Sequence, residues 1–202
     1  MGLLLRRREM MLAAAPAPFV PQKIYGLYNR TVVDSEIINT GVAPFADGVN
    51  CTILMDINIT TNPSDTSNAY RYRLMYIVRS EGSGRALSVE KPSQWNANIR
   101  ALIGNVTSND NIAKIATSAA GRKRIIVTHV ANTNSIHAYG KVGTGDLLEK
   151  TPTNTAVDFS SQNLTLGATG TGYGLPPATI NKCEVYNYVF SQAEIDSFFA
   201  DE

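Results

Sequence analysis

The feature that most constrains the fold is an alternation of apolar and polar side chains with a period of two residues. In residues 51–60 one face of the predicted strand would carry Cys51, Ile53, Met55, Ile57 and Ile59. Residues 70–79 repeat the pattern, with a face predicted to carry Tyr70, Tyr72, Leu74, Tyr76 and Val78. A period of two is typical of β-strands that bury one face. The pattern therefore predicts an all-β protein.

Turn-forming residues separate the predicted strands at short intervals. Residues 125–130 and 135–142 are rich in β-formers and flank Asn-Thr-Asn at 132–134, which predicts a hairpin. Later strands are predicted at 157–166 and 180–189. Strands at this spacing favour an antiparallel β-sandwich, and 202 residues are enough for one such domain.

A helix start follows the last predicted strand. Ser191 is an N-cap residue type, and Glu194 three positions later completes a capping box. Phe190 and Ile195 flank the cap as a hydrophobic staple. The spacing predicts one short C-terminal helix over residues 191–200.

The C-terminal pattern resembles the concanavalin A-like, LamG-like jelly roll found in tailed-phage virion proteins. The matching stretches are Val-Tyr-Asn at 185–187, Phe-Ser at 190–191 and Glu-Ile at 194–195. Further stretches similar to that family are Thr-Gly-Val at 40–42 with Cys-Thr-Ile-Leu-Met-Asp at 51–56, Ile-His-Ala-Tyr-Gly-Lys at 136–141, and Asn-Leu-Thr-Leu-Gly at 163–167. The Leu-Leu-Arg-Arg start also resembles virion proteins of gut phages, including crAss-like phages. The resemblance implies a jelly-roll sandwich over residues 26–202.

The first 25 residues differ in character from the rest and are predicted to form an extended docking arm. Prolines at 16, 18 and 21 favour an extended, polyproline-like segment. The apolar residues come before the basic ones, which is the reverse of a secretory signal. We expect the arm to contact another virion protein through Leu3, Leu4, Leu5, Arg6, Arg7, Arg8, Met10, Met11 and Phe19. The alternative is that these residues are a solvent-exposed basic tail.

The amino-acid composition limits the other classes of binding partner that we expect. Only 17% of residues are charged and the net charge is +1, which is typical of extracellular or virion β proteins. Three arginines at 6–8 without a further basic stripe are a poor footprint for nucleic acid, so none is expected. No apolar run is long enough to cross a membrane. We expect a homo-oligomer in the virion.

The sequence contains few of the motifs that indicate a catalytic site. It contains no paired-carboxylate strand, no Gly-x-Ser-x-Gly elbow, no His-Glu-x-x-His and no phosphate loop. His129 and His137 lie on neighbouring predicted strands but lack a third ligand, and no calcium loop is recognisable. We therefore predict no catalytic residue, no metal and no cofactor. Cys51 and Cys183 are expected to be buried free thiols, with a disulfide as the alternative.

Carbohydrate binding is the activity that a lectin-like fold invites. It needs an exposed aromatic ring beside amide or carboxylate groups. Trp95 between Gln94 and Asn96 meets that description, and Tyr173 in a glycine-rich stretch is a second candidate. The alternative reading of a lone Trp is core packing.

Two functions follow from these observations. The first is a non-enzymatic structural protein of a tailed-phage particle, as a capsid decoration, head-fibre or tail-associated jelly roll that also contacts host surface glycans. The second is a lectin-like carbohydrate-binding module, virion-borne or secreted. Binding energy would lie in the arm for the first and around Trp95 and Tyr173 for the second.

Overall fold

The computed structural model describes residues 20–44, 50–60, 72–78, 85–91, 98–103, 112–117, 120–130, 135–141, 147–150, 162–167 and 174–200. These residues contain twelve β-strands and one helix. The strands are β1 (Lys23–Val32), β2 (Ile38–Asn39), β3 (Cys51–Ile59), β4 (Tyr72–Val78), β5 (Arg85–Lys91), β6 (Asn98–Ile103), β7 (Ile112–Thr117), β8 (Gly121–Val130), β9 (Ser135–Lys141), β10 (Leu147–Lys150), β11 (Thr165–Leu166) and β12 (Ala178–Tyr186). The helix is α1 (Gln192–Ala200).

The strands form two six-stranded antiparallel sheets. The first sheet has the order β1-β12-β3-β8-β9-β10, and the second sheet has the order β2-β11-β4-β5-β6-β7. One apolar core joins them, because buried residues of both sheets belong to a single cluster; examples are Ile53 and Met55 from the first sheet and Leu87, Val89 and Ile99 from the second. The predicted antiparallel β-sandwich is confirmed.

The burial of β3 explains why its alternation of apolar and polar residues predicted a β-sandwich. Its odd-numbered residues, Cys51 to Ile59, are buried in the core between the sheets. Leu54 is also buried, but in a second cluster on the opposite face of the strand, which we call the outer face of the first sheet. The strand is thus covered on both sides, by the second sheet and by the helix.

The predicted hairpin is confirmed, and the predicted core face of residues 70–79 is correct at Tyr72 and Leu74 but wrong at Tyr76. β8 pairs with β9 in antiparallel register, with Val127 opposite Ala138. In β4 a register shift falls between Arg73 and Met75. Because one residue is inserted there, Met75 and Ile77 enter the core and Tyr76 turns to the opposite face. Sequence alternation alone cannot reveal such a bulge.

Helix α1 begins as its sequence predicts and packs on the outer face of the first sheet. The Ser191 amide donates to Glu194 Oε2 at 2.7 Å, and the Glu194 amide donates to Ser191 Oγ at 3.4 Å. Ile195, Phe198 and Phe199 pack in one cluster with Leu54, Ile126 and Tyr139 of the sheet, and Phe190 contacts the same cluster. The capping box and the staple partners are therefore confirmed.

The other end of the helix is held by a buried arginine. Arg124 Nη1 donates to the carbonyl oxygens of Phe198 and Phe199, both at 3.1 Å. A guanidinium group here satisfies carbonyls that the last helical turn leaves without partners.

The sandwich begins earlier than expected. β1 starts at Lys23 and pairs with β12 along its length, so residues 23–25 of the predicted arm are part of the first sheet. The predicted docking residues, Leu3 to Phe19, lie outside the described residues.

The two cysteines are free and buried, as predicted. On β3 and β12, Cys183 is opposite Met55, whereas Cys51 lies four positions further along β3. Four strand residues span about 13 Å, which is too far for a disulfide. Burial raises the pKa of Cys183 to about 12 and raises that of Cys51 further.

Candidate functional site

The second sheet carries a cross-strand row of charged side chains on the face opposite the core. In the register of β4, β5 and β6, Arg73 lies opposite Glu90, and Glu90 lies opposite Arg100. We call Arg73, Glu90 and Arg100 the arginine row. On the core side, the neighbouring positions Met75, Val89 and Ala101 line up in the same way.

Glu90 holds both arginines. Arg73 Nε donates to Glu90 Oε2 at 2.9 Å, and Arg100 Nη2 lies 3.4 Å from Oε1. Ser88 Oγ also donates to Oε2, at 2.7 Å. The Glu90 side chain is only 2% exposed, whereas that of Arg100 is 22% exposed. The Glu90 carboxylate is therefore the buried member of the row, and Arg100 is its most exposed member.

The bulge in β4 adds an aromatic ring to this face. Since one residue is inserted after Arg73, Tyr76 faces the same side as Arg73 and lies opposite Ser88. The Arg73 guanidinium carbon is 4.4 Å from the centroid of the Tyr76 ring. Stacking of this kind restrains the guanidinium plane and leaves its N–H groups pointing sideways.

Arg100 is the member of the row whose hydrogen bonding is incomplete. In the strand register, Lys114 on β7 lies opposite Arg100. Arg100 Nε is buried and makes no hydrogen bond to the part of the chain that the structure describes. A buried donor without an acceptor is costly and is the kind of group that a bound ligand satisfies. The row is suited to an anion with paired oxygens, such as a carboxylate.

The predicted glycan-binding residues Gln94, Trp95, Asn96 and Tyr173 lie outside the described residues. Their places in the chain nevertheless border the row. Residues 92–97 connect β5, directly after Glu90 and Lys91, to β6, which carries Arg100. Tyr173 precedes Gly174, whose carbonyl oxygen accepts from the Arg73 amide at 3.4 Å.

The outer face of the first sheet carries two further buried carboxylates, which are engaged in ion pairs. Burial alone would raise the pKa of Asp56, but hydrogen bonds from Arg122 and Asn181 outweigh it and the pKa lies below its ordinary value. The same holds for Glu184, whose pKa is lowered by hydrogen bonds from Tyr28, Lys23 and Tyr186. These groups stabilise the sheet.

Nothing in the described ranges suggests a metal centre. They contain no group of three or more His, Cys, Asp or Glu side chains placed to hold an ion. His129 and His137 do not face each other, because His137 is opposite Thr128 and His129 is opposite Ile136, at successive positions of the hairpin. In the same part of the chain, no helix is long and apolar enough to cross a membrane.

Sequence reasoning missed the arginine row. Arg73, Glu90 and Arg100 form no short motif in the sequence. The signal that unites them is strand register, which brings together residues 10 and 17 positions apart. A single sequence does not specify that register.

No protein-family model matches the sequence, and no curated protein is similar to it. Solved structures do match. The carbohydrate-binding module CBM40 of the Ruminococcus gnavus IT-sialidase, bound to α2,3-sialyllactose, aligns with 87% of this chain and 98% of its own length, at a TM-score of 0.59 and 12% identity. The two share a fold. The same module bound to α2,6-sialyllactose aligns similarly, at a TM-score of 0.59 and 13% identity.

A whole sialidase also matches. The leech intramolecular trans-sialidase aligns over 89% of this chain at a TM-score of 0.61 and 14% identity, but only 28% of its length is covered. The chain therefore shares the fold of about a quarter of that enzyme's chain. The comparisons confirm the jelly-roll architecture.

Proposed function

We propose that the protein is a carbohydrate-binding module that recognises an acidic, carboxylated glycan at the arginine row. The observation that carries the proposal is the pair of arginines fixed by the buried Glu90, with a buried Arg100 Nε that lacks a partner among the described residues. This is the lectin-like function predicted from the sequence. The carboxylate-binding residues are now those of the arginine row, which that prediction did not include.

The chemistry favours a carboxylate over a neutral sugar. A neutral sugar offers only hydroxyl groups, which accept weaker hydrogen bonds from a guanidinium group than a carboxylate does. A sugar carboxylate provides two oxygens in one plane, which match the N–H fork of a guanidinium group. Arg100 supplies that fork at the accessible end of the row, and Tyr76 supplies an aromatic surface at the other.

Trp95 and Tyr173 are the aromatic residues that we assign to the same binding site. Trp95 belongs to the connection of β5 to β6, between Glu90 and Arg100, and Tyr173 directly precedes Gly174, whose carbonyl oxygen accepts from the Arg73 amide. We infer that their rings stack against the sugar while Gln94 and Asn96 hydrogen bond to its hydroxyls. The similarity to modules bound to sialyllactose supports this ligand class, since sialic acid is a carboxylated sugar.

The proposal is tested by titration of 3′-sialyllactose into the wild type and two arginine variants. Arg100→Ala should weaken binding roughly 10- to 100-fold, because it removes charge-assisted hydrogen bonds to the carboxylate. Arg122→Ala is the matched control, since Arg122 is a partly exposed arginine that pairs with Asp56 on the outer face of the first sheet, opposite the row. It should bind as the wild type does.

Lactose serves as the ligand control. It lacks the carboxylate, so it should bind the wild type far more weakly than sialyllactose. Equal affinities for the two sugars, or an Arg100→Ala variant that keeps full affinity and melts like the wild type, would contradict the proposal.

The virion location, the arm's capsid, fibre or tail partners, and homo-oligomerisation stay predictions. A carbohydrate-binding module on a phage particle would combine both functions of the sequence analysis. The absence of catalysis also stays a prediction.

A further inference from the structure

A groove lies on the outer face of the first sheet, on the side of the molecule opposite the arginine row. It is enclosed by β12, the segment that follows it and helix α1, and its volume is about 410 Å³. We call it the outer groove. Its walls are mostly apolar or aromatic and include Leu54, Tyr186, Tyr188, Phe190, Ala193 and Phe198.

Three aromatic rings form one wall of the groove. The ring centroids of Tyr186 and Phe190 are 4.8 Å apart, and those of Tyr188 and Phe190 are 5.4 Å apart. Thr52 fixes this wall, because its hydroxyl donates to the Tyr188 carbonyl at 2.8 Å and accepts from the Phe190 amide at 3.0 Å. The wall is therefore built before any ligand arrives.

The carboxylates of the groove are already occupied. Tyr186 donates its hydroxyl proton to Glu184 Oε2 at 2.9 Å, and Tyr188 donates to Glu194 Oε1 at 2.9 Å. Lys23 and Tyr28 donate to the other oxygen of Glu184. A sugar or a cation would have to break these bonds, so the groove favours an occupant with few hydrogen-bond donors.

The chain supplies such an occupant at the edge of the groove. Asn187, between two groove tyrosines, binds the start of β1: its Nδ2 donates to the Val20 carbonyl at 3.2 Å, and its Oδ1 accepts from the Gln22 amide at 2.8 Å. The residues that precede Val20 are Ala-Pro-Ala-Pro-Phe at 15–19, which we call the proline segment. Proline lacks an amide N–H, and its fixed φ prepares an extended conformation.

We propose that the outer groove binds the chain's own proline segment. Aromatic-lined grooves are the general receptors of proline-rich segments, because flat rings pack against the pyrrolidine rings. The segment's carbonyl oxygens need donors, and the Lys182 ammonium group and the Ser197 hydroxyl line the groove. Attachment at Val20 gives the segment a high effective concentration, which favours its own groove over that of a second copy.

Binding of the proline segment would set the direction of the residues before it. Leu3–Leu5, Arg6–Arg8 and Met10–Met11 would then start from a fixed point on the first sheet. The arginine row lies on the second sheet and would not be affected. The inference is independent of the glycan proposal, and each can fail without the other.

The test is a cysteine trap in the full-length protein. Ala17→Cys is combined with Ala193→Cys in the groove, and in a matched control with Asn163→Cys, an exposed position beside β11 of the second sheet. Ala13→Cys and Ala15→Cys are paired in the same way to allow for register. Cys51 and Cys183 are buried and do not compete. Mild oxidation and non-reducing mass spectrometry measure the rate of disulfide formation.

We expect at least one arm cysteine to form an intramolecular disulfide with position 193 at least about tenfold faster than with position 163, since a disulfide needs a close approach of the two Cα atoms. Pro16→Ser with Pro18→Ser should slow that reaction and leave the melting temperature unchanged. Equal rates at 193 and 163, or disulfide-linked dimers in place of monomers, would overturn the proposal.

Discussion

Asp56 shows how the outer face of the first sheet uses buried charge. Arg122 donates to both carboxylate oxygens, with its Nη2 2.6 Å from Oδ2, and Asn181 Nδ2 donates to Oδ1 at 2.9 Å. Arg124, which caps the helix, lies 3.7 Å from the same carboxylate. One acid thus connects β3, β8 and β12 to the helix.

Protonation of Asp56 should weaken the fold. Its pKa in the folded protein lies below the ordinary value of 3.8, so the unfolded chain takes up the proton more readily. The stabilising contribution is therefore complete above about pH 5 and is lost as the pH falls through the folded-state pKa. In Asp56→Asn, the free energy of unfolding from urea titrations should fall less between about pH 6 and pH 3 than in the wild type.

Asp34→Asn is the matched control for that experiment, because Asp34 lies in an exposed turn. Its acid sensitivity should equal that of the wild type. An Asp56→Asn variant that loses as much stability on acidification as the wild type would show that Asp56 is not responsible.

The arginine row shows which side-chain contacts could not be predicted from the sequence. Residue types alone identified Ser191 and Glu194 as a capping pair, since both partners are three positions apart in one local motif. Arg73, Glu90 and Arg100 come from three strands, and the bulge in β4 turns Tyr76 to their face. Long-range register depends on the whole sheet, which a short pattern does not contain.

At the scale of elements, α1 should contribute to stability through packing more than through its cap. Phe198→Ala empties a buried site against Leu54, Ile126 and Tyr139 and should cost roughly 3 kcal/mol. Ser191→Ala removes only the cap and should cost about 1 kcal/mol. Ser197→Ala, on the exposed side of the same helix, should change the free energy of unfolding by less than about 0.5 kcal/mol. Chemical denaturation of the three variants checks this order.

The reverse order, or a Phe198→Ala variant as stable as the wild type, would mean that the helix is not docked on the sheet. The helix itself was predictable because its start, staple and apolar face are local. Its docking on the outer face was not, since the partners Leu54, Ile126 and Tyr139 come from three distant strands.

At the scale of the whole molecule, the position of β1 changes what a truncation should do. Removal of residues 1–19 leaves β1 intact and should leave the melting temperature within a few degrees of the wild type. Removal of residues 1–25 deletes the pairing of Lys23 and Tyr25 with Tyr186 and Val185, and also the ion pair of Lys23 with Glu184 at 2.9 Å. That variant should melt several degrees lower.

Equal melting temperatures for the two truncations would show that residues 23–25 contribute nothing to the first sheet. The predicted boundary at residue 26 missed the start of β1 because the alternation of that strand is weak: seven of its first nine residues are exposed, at an edge of the sheet. Edge strands bury little of either face, so periodicity identifies them poorly.

The proposed glycan site lies on the second sheet, and the proposed groove for the proline segment lies on the first sheet. The most direct measurement of the central claim is a backbone amide chemical-shift map recorded during titration with 3′-sialyllactose. The largest changes should fall in residues 73–76, 88–91 and 98–101, around the arginine row. Changes centred on residues 182–198 of the outer groove, or none at millimolar sugar, would contradict it.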